Sequence, residues 1–312
     1  MSLLVGFLTL LLVGCGPDQP SAAQCASGAT PADGAPRAPS SASSSPLDKT
    51  ATLTFRRNGA EVRKLSLGAM LETLKTETVV AYDPYYNREK SFRAFPLARV
   101  LEAGFAGQDA RFAELELVLR AKDGYTVAMR GSRLMEDGGF IAYEDTEVPG
   151  WEPIGQQRAN PAPFYFIWSK KGQASLETHP RPYQLAAIEI IRFEEAFPKT
   201  VPTGLPKDDP GWSGFATYRE QCVHCHAINR QGGRVGPELN VPQSIVEYRP
   251  IDQIKAYIKN PLEFRYSTMP PHPSLTAADL DALVAYFRAM STRKQDEDAL
   301  AGDAAKKGAA GP

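Results

Sequence analysis

Cys222-Val223-His224-Cys225-His226 is the stretch on which the reading of this chain turns. Its two thiols stand three positions apart, a separation that places both on one face of a helical turn. From there each can form a thioether with one vinyl group of a single porphyrin. The histidine after the second cysteine is then held beneath the iron, with its imidazole as proximal ligand. C-x-x-C-H is the attachment signature of covalent c-type haem, and it occurs once, so one haem is expected. A zinc site would need a second ligand pair of similar spacing. The remaining cysteines, Cys15 and Cys25, lie far upstream. A thioredoxin-like dithiol would sit in a βαβ context that this region lacks.

Outward from the motif, a single-haem carrier needs a second axial ligand, and a soft thioether stabilises the ferrous state. Met269 lies in Tyr266-Ser267-Thr268-Met269-Pro270-Pro271, where prolines limit the freedom of a loop that must hold sulfur on iron. His272 is the nearby rival; His/His ligation would give a lower potential, and the residues around Met269 favour the thioether. His224, between the two cysteines, is expected to face solvent. Three helices frame these points. The first runs from Gly214 to about Ala227, with Phe215, Tyr218 and Cys222 at helical spacing. The second runs from Asp252 to Lys259 and stops at Asn260-Pro261. The third is capped by Thr276 with Asp279 three residues on, and Leu280, Leu283, Val284 and Phe287 form one stripe.

With C-x-x-C-H, Gly236-Pro237-Glu238-Leu239, the Met269-Pro loop and the closing amphipathic helix, residues 211–291 resemble a small all-α class I cytochrome c. The resemblance implies that the first and last helices cross over the haem edge, with Phe215 and Tyr286 as candidates for the crossing. It also implies that the Pro237 carbonyl accepts a hydrogen bond from His226, which orients the ring and tunes its basicity.

Residues 50–200 contain no cysteine and read as α+β. Hairpins are expected at 51–67 around Asn58-Gly59 and at 114–130 around Asp123-Gly124. Helices are expected at 68–75 and 96–103, and further strands at 78–82, 140–143, 164–168 and 187–193. The Pro/Gly-rich loop 144–163 is expected to be a lid or a partner contact. Phe95 to Gly104, the Lys122-Asp123-Gly124-Tyr125 turn and Pro180 to Glu189 together resemble the β-rich, mixed molybdopterin-binding domain of the sulfite oxidase-like superfamily. That family binds molybdenum through a cysteine thiolate, and this chain has no cysteine between residues 26 and 221. The oxygen-transfer activity and molybdopterin itself are therefore not expected. His179 is the segment's single histidine and is expected at the surface. The aromatic set Tyr82, Tyr85, Tyr86, Trp151, Phe164 and Trp168 could line a pocket, with ordinary core packing the plainer reading.

At the N-terminus, the apolar run Leu3–Val13 is too short to span a bilayer. It ends in Leu12-Val13-Gly14-Cys15, which resembles the lipobox of bacterial lipoproteins with Cys15 as the lipidated residue. Met1-Ser2 carries no Lys or Arg, a departure from the usual positive start. Residues 16–49 are rich in Ser, Ala, Pro and Gly and are expected to be a disordered tether holding an unpaired Cys25. A linker at 201–210 and a solvated tail at 292–312 complete the expected order: signal 1–15, tether, α+β domain, linker, cytochrome domain, tail. The 35 basic and 36 acidic residues nearly cancel, which gives no sign of nucleic-acid binding.

The expected function is a monohaem electron carrier rather than a catalyst. It would be anchored in the bacterial envelope facing the periplasm and serve redox proteins or a membrane respiratory complex. The alternatives are a molybdopterin-type oxidoreductase with its own haem outlet and a haem-based sensor.

Overall fold

The computed structural model describes residues 47–107, 111–155, 157–264, 267 and 269–296, all belonging to one compact unit. The expected Cys15 lipidation, the unpaired Cys25, the tether through residue 46 and the tail beyond residue 296 lie outside the described residues. Among the described residues no helix is long and apolar enough to cross a membrane.

The N-terminal region is β-rich, with two sheets. Strands β1 (Thr52–Arg57) and β2 (Ala60–Ser66) meet at Asn58-Gly59, both in the left-handed region that a tight hairpin turn requires. Helix α1 (Leu67–Thr73) follows, then β3 (Glu77–Asp83), β4 (Arg88–Pro96), α2 (Leu97–Gly104), β5 (Glu116–Ala121), β6 (Thr126–Arg130) and α3 (Gly131–Leu134). Strands β7 (Gly139–Asp145), β8 (Tyr165–Trp168) and β9 (Leu185–Ile190) complete the set. One sheet has the order β2-β1-β9-β5-β6 and is mixed, because β1 runs parallel to β9. The other is antiparallel, β3-β4-β7-β8.

Side-chain alternation explains why both sheets are covered on two faces. In β5, Leu117 and Leu119 join the core between the sheets, where Phe55, Phe95, Val100, Leu101, Phe166 and Trp168 also lie. Val118, one residue out of step, belongs to a different core on the opposite face, shared with Phe215, Tyr218, Leu283 and Tyr286. In β8, Phe166 and Trp168 face the first core, while Tyr165 and Ile167 pack with Phe92 and Trp151. At the centre of the 144–163 loop, Trp151 and Ile154 are buried and cover the second sheet.

The structure departs from expectation at several elements. Strand β4 was not anticipated, α2 begins one residue after Pro96, and β9 ends at Ile190 so that Phe193 opens a short helix, α4 (Phe193–Ala196). His179 is buried, its ring edge-on to Trp168 at 5.0 Å with Nε2 3.1 Å from Glu136. The aromatic set divides: Trp151, Phe164 and Trp168 are core, Tyr82 is exposed, and Tyr86 stands beside the Lys90 ammonium at 5.0 Å.

The C-terminal region is helical: α5 (Pro210–Thr217), α6 (Ile245–Tyr248), α7 (Ile251–Lys259) and α8 (Ala277–Ser291). The Asp209 carboxylate caps α5 by accepting from Gly211 N–H at 2.7 Å, so this helix starts before the expected Gly214. Thr276 and Asp279 form the anticipated capping box on α8. Helices α5 and α8 cross at Gly214, where a Cβ would lie 1.9 Å from the Ala282 carbonyl oxygen. Phe215 and Tyr286 meet beside it, ring centroids 5.7 Å apart. Phe193, Phe197 and Thr200 join this helical core, with Tyr286 Oη donating to the Thr200 carbonyl at 2.7 Å. Residues 292–296, expected in a solvated tail, are tied down. Arg293 Nε donates to Thr203 O, Lys294 pairs with Glu247, and Gln295 N–H donates to Asn229 Oδ1.

Candidate haem centre

Helix α5 runs on through a π-turn at Tyr218–Cys222, closed by Val223 N–H donating to Tyr218 O at 2.9 Å. The attachment motif therefore sits on the turn that ends the helix, not within a helix to Ala227. Cys225 N–H and His226 N–H both reach the Cys222 carbonyl, at 3.2 and 2.9 Å. Both thiols are free and half-buried, and they stand for the sulfurs of two thioether links. Burial pushes each thiol up to about 12, so before attachment both carry their protons at neutral pH.

The chain then folds back over its own motif. A tight turn at Asn229 and Arg230, both with positive φ, pairs Ala227–Ile228 with Gln231–Gly232. Gly233 N–H donates to Val223 O and Gly236 N–H to Cys225 O, each at 2.8 Å. Gly236 lies flush on the imidazole of His226, so close that a Cβ would stand 2.5 Å from Cε1. Next in sequence, the Pro237 carbonyl sits 2.8 Å from His226 Nδ1. With the proton on Nδ1, Nε2 carries the free lone pair for a metal. Burial lowers His226 against the opposing pull of the Pro237 carbonyl, so the ring is neutral at pH 7, the state in which imidazole ligates.

Two polar side chains, to which the sequence reading gave no role, hold this return loop. Glu238 accepts from the amides of Asn229, Arg230, Asn240 and Val241. Buried Asn240 donates to Asn229 Oδ1 and to the Met290 carbonyl. Their only sequence signal is a polar residue at a tight turn, which is common to many surface loops.

Met269 is half-buried, and its N–H donates to Ser267 Oγ at 3.1 Å; that hydroxyl is 3.0 Å from Tyr257 Oη on α7. His272 N–H donates to the Ile258 carbonyl at 3.1 Å. Burial lowers His272, and the neighbouring His226 adds to that against Glu177. The structure brings Cys222, Cys225, His226 and Pro237 together on one turn and its return loop, and tethers Met269 through Ser267 to α7.

His224 does not face solvent. It is buried in the seam with the N-terminal region: its carbonyl accepts from Thr126 N–H at 3.0 Å and its ring stands 5.8 Å from Tyr125. Burial lowers its imidazole to about 4. Across the same seam Arg234 N–H donates to Gly124 O at 3.1 Å, and Ser274 Oγ bonds Glu177. Burial raises the phenols of Tyr85, Tyr125 and Tyr183, and the neighbouring Cys225 sulfur adds to the rise in all three. No His, Cys, Asp or Glu side chains converge in threes to hold a metal ion among the described residues.

Residues 211–287 match the family model described as cytochrome c oxidase, cbb3-type, subunit III. This segment is a cytochrome c domain. It implies covalently bound haem c, and the flush Gly236 and the Pro237 acceptor suit an imidazole fixed beneath a flat macrocycle. The match spans about a quarter of the chain, and the β-rich region lies wholly outside it. No curated protein matches the chain. A cytochrome c domain suggests electron transfer.

Proposed function

We propose that the protein is a monohaem electron carrier anchored by lipid at Cys15 in the bacterial envelope and facing the periplasm. It would exchange single electrons with redox proteins or a membrane respiratory complex. When bound, haem c supplies an iron that cycles between two oxidation states. Cys222 and Cys225 would hold the macrocycle covalently, and His226 through Nε2 and Met269 through its sulfur would be the donors to its metal. The observation that carries the reading is His226 itself, with Nδ1 committed to Pro237 O at 2.8 Å and one ring face packed on Gly236. A ring held this firmly does not reorient when the metal charge changes, which keeps electron transfer fast. The β-rich region, sulfite oxidase-like in this reading but without the metal-binding thiolate, serves docking or ligand binding.

A pyridine haemochrome assay paired with metal analysis of full-length protein tests this. The expected result is one c-type haem per chain, retained through acid–acetone extraction, and no molybdenum. Extractable pigment would overturn covalent attachment. Stoichiometric molybdenum would favour the second reading, a substrate-oxidising domain that feeds its own haem.

A further inference from the structure

We propose that the β-rich region forms part of the haem pocket, with Tyr85, Tyr125 and Tyr183 closing over the edge of the macrocycle nearest Cys225. The inference rests on haem being attached at Cys222 and Cys225. Its basis is that the N-terminal region is bonded directly to the attachment motif and to its return loop. The Asp123-Gly124 turn is bonded to the motif and its return loop: Thr126 N–H to His224 O at 3.0 Å, and Arg234 N–H to Gly124 O at 3.1 Å. Gly124, at φ +92°, lets Arg234 approach so closely that a Cβ on the glycine would be 2.9 Å from that side chain. Glu177 also bonds Ser274, five residues after Met269. The Tyr125 ring lies tilted against His224, centroids 5.8 Å apart, and Tyr85 and Tyr183 stand edge-to-face at 6.0 Å.

All three tyrosines are half-buried, yet Cys225 is an electrostatic neighbour of each. The attachment sulfur is bonded to the macrocycle edge, so side chains clustered around Cys225 are clustered around that edge. Phenol rings over a haem edge exclude water, and exclusion of water disfavours the more highly charged ferric form and raises the potential.

The test uses full-length holoprotein carrying Tyr125→Ala, Tyr183→Ala, Tyr125→Phe, or Tyr82→Ala as the exposed control. Haemochrome assay first establishes the haem content of each. The expected result is a lower midpoint potential and faster reduction by ascorbate in Tyr125→Ala and Tyr183→Ala. Tyr125→Phe, which keeps the ring, and Tyr82→Ala stay at the parent values. Unchanged potential and reduction rate in both alanine variants, with haem attached, overturn the roof. The Tyr183→Ala variant carries the test if Tyr125→Ala does not accumulate. Parent protein without covalent haem defeats the proposed function instead, and the assay separates the two failures.

Discussion

Lys90 is a lysine whose side chain has no exposed surface, on a strand where an apolar residue would be expected. Its ammonium donates to Asp145 Oδ2 at 2.8 Å and Glu152 Oε2 at 2.9 Å, and stands 3.1 Å from Glu147. Asp145 in turn accepts from the amides of Glu147, Val148 and Glu152, so one buried cation fixes the start of the loop that carries Trp151 over the second sheet. Burial works against the charge on Lys90, but the three carboxylates outweigh it and hold the ammonium above its ordinary value. Removing one member of such a pair leaves a buried charge uncompensated, which costs more than the pair itself contributes. Lys90→Met is therefore expected to destabilise the protein by about 3–5 kcal/mol, read as a lower urea midpoint. Adding Asp145→Asn to Lys90→Met should recover part of that loss, because it removes the orphaned carboxylate. A double variant no more stable than the single one would contradict this account.

Lys90 also shows why some elements are legible in a sequence and others are not. Strand β4 alternates Lys90, Phe92 and Ala94 inward, and the buried charge at the first of these positions masks its period of two. Helix α8 shows the opposite case: a capping box, acidic first turn and apolar stripe all point the same way, and its start at Thr276 is legible in the sequence. The attachment motif and Pro237 were legible because they are local. The π-turn before them was not, since no residue type signals a widened helical turn. Between α5 and α8, Gly214 could be read as a helix residue but not as the crossing point, which depends on Ala282 nearly seventy positions on. A methyl group there would sit 1.9 Å from the Ala282 carbonyl oxygen and 2.8 Å from Tyr286 Cβ, forcing the helices apart. Gly214→Ala gains about 1 kcal/mol in helix propensity, but overpacking against backbone costs about 1–3 kcal/mol. The expected outcome is a net loss, seen as a thermal midpoint lower by a few degrees in circular dichroism. An unchanged or raised midpoint would show that the crossing has slack.

At the scale of the whole molecule, the two regions share a core instead of hanging from a linker. Val118 reaches that core because β5 is buried on both faces, a fact invisible in a strand that alternates Leu, Val and Leu without a polar side. Glu116, at the start of the same strand, pins the seam: it accepts from Phe193 N–H at 2.8 Å and bonds Arg219, whose other terminal nitrogen reaches Glu194 at 2.9 Å. The Arg219 guanidinium also lies over the Phe193 ring at 4.8 Å. Burial alone would raise the Glu116 carboxyl, but the Phe193 amide and Arg219 outweigh it and hold it below the ordinary 4.5. A carboxylate lowered on folding stabilises the native state fully above its unfolded value, and that contribution fades as pH falls through the folded value. Glu116→Gln is expected to lose about 1–2 kcal/mol near neutral pH, the worth of a charged hydrogen bond in a partly exposed site. The gap between parent and variant should narrow on acidification below about pH 4, because the parent carboxylate is then protonated as well. Urea midpoints at both pH values measure it. A gap of the same size at both would mean that shape at this position, and not the charge of Glu116, joins the cytochrome c domain to the sheet.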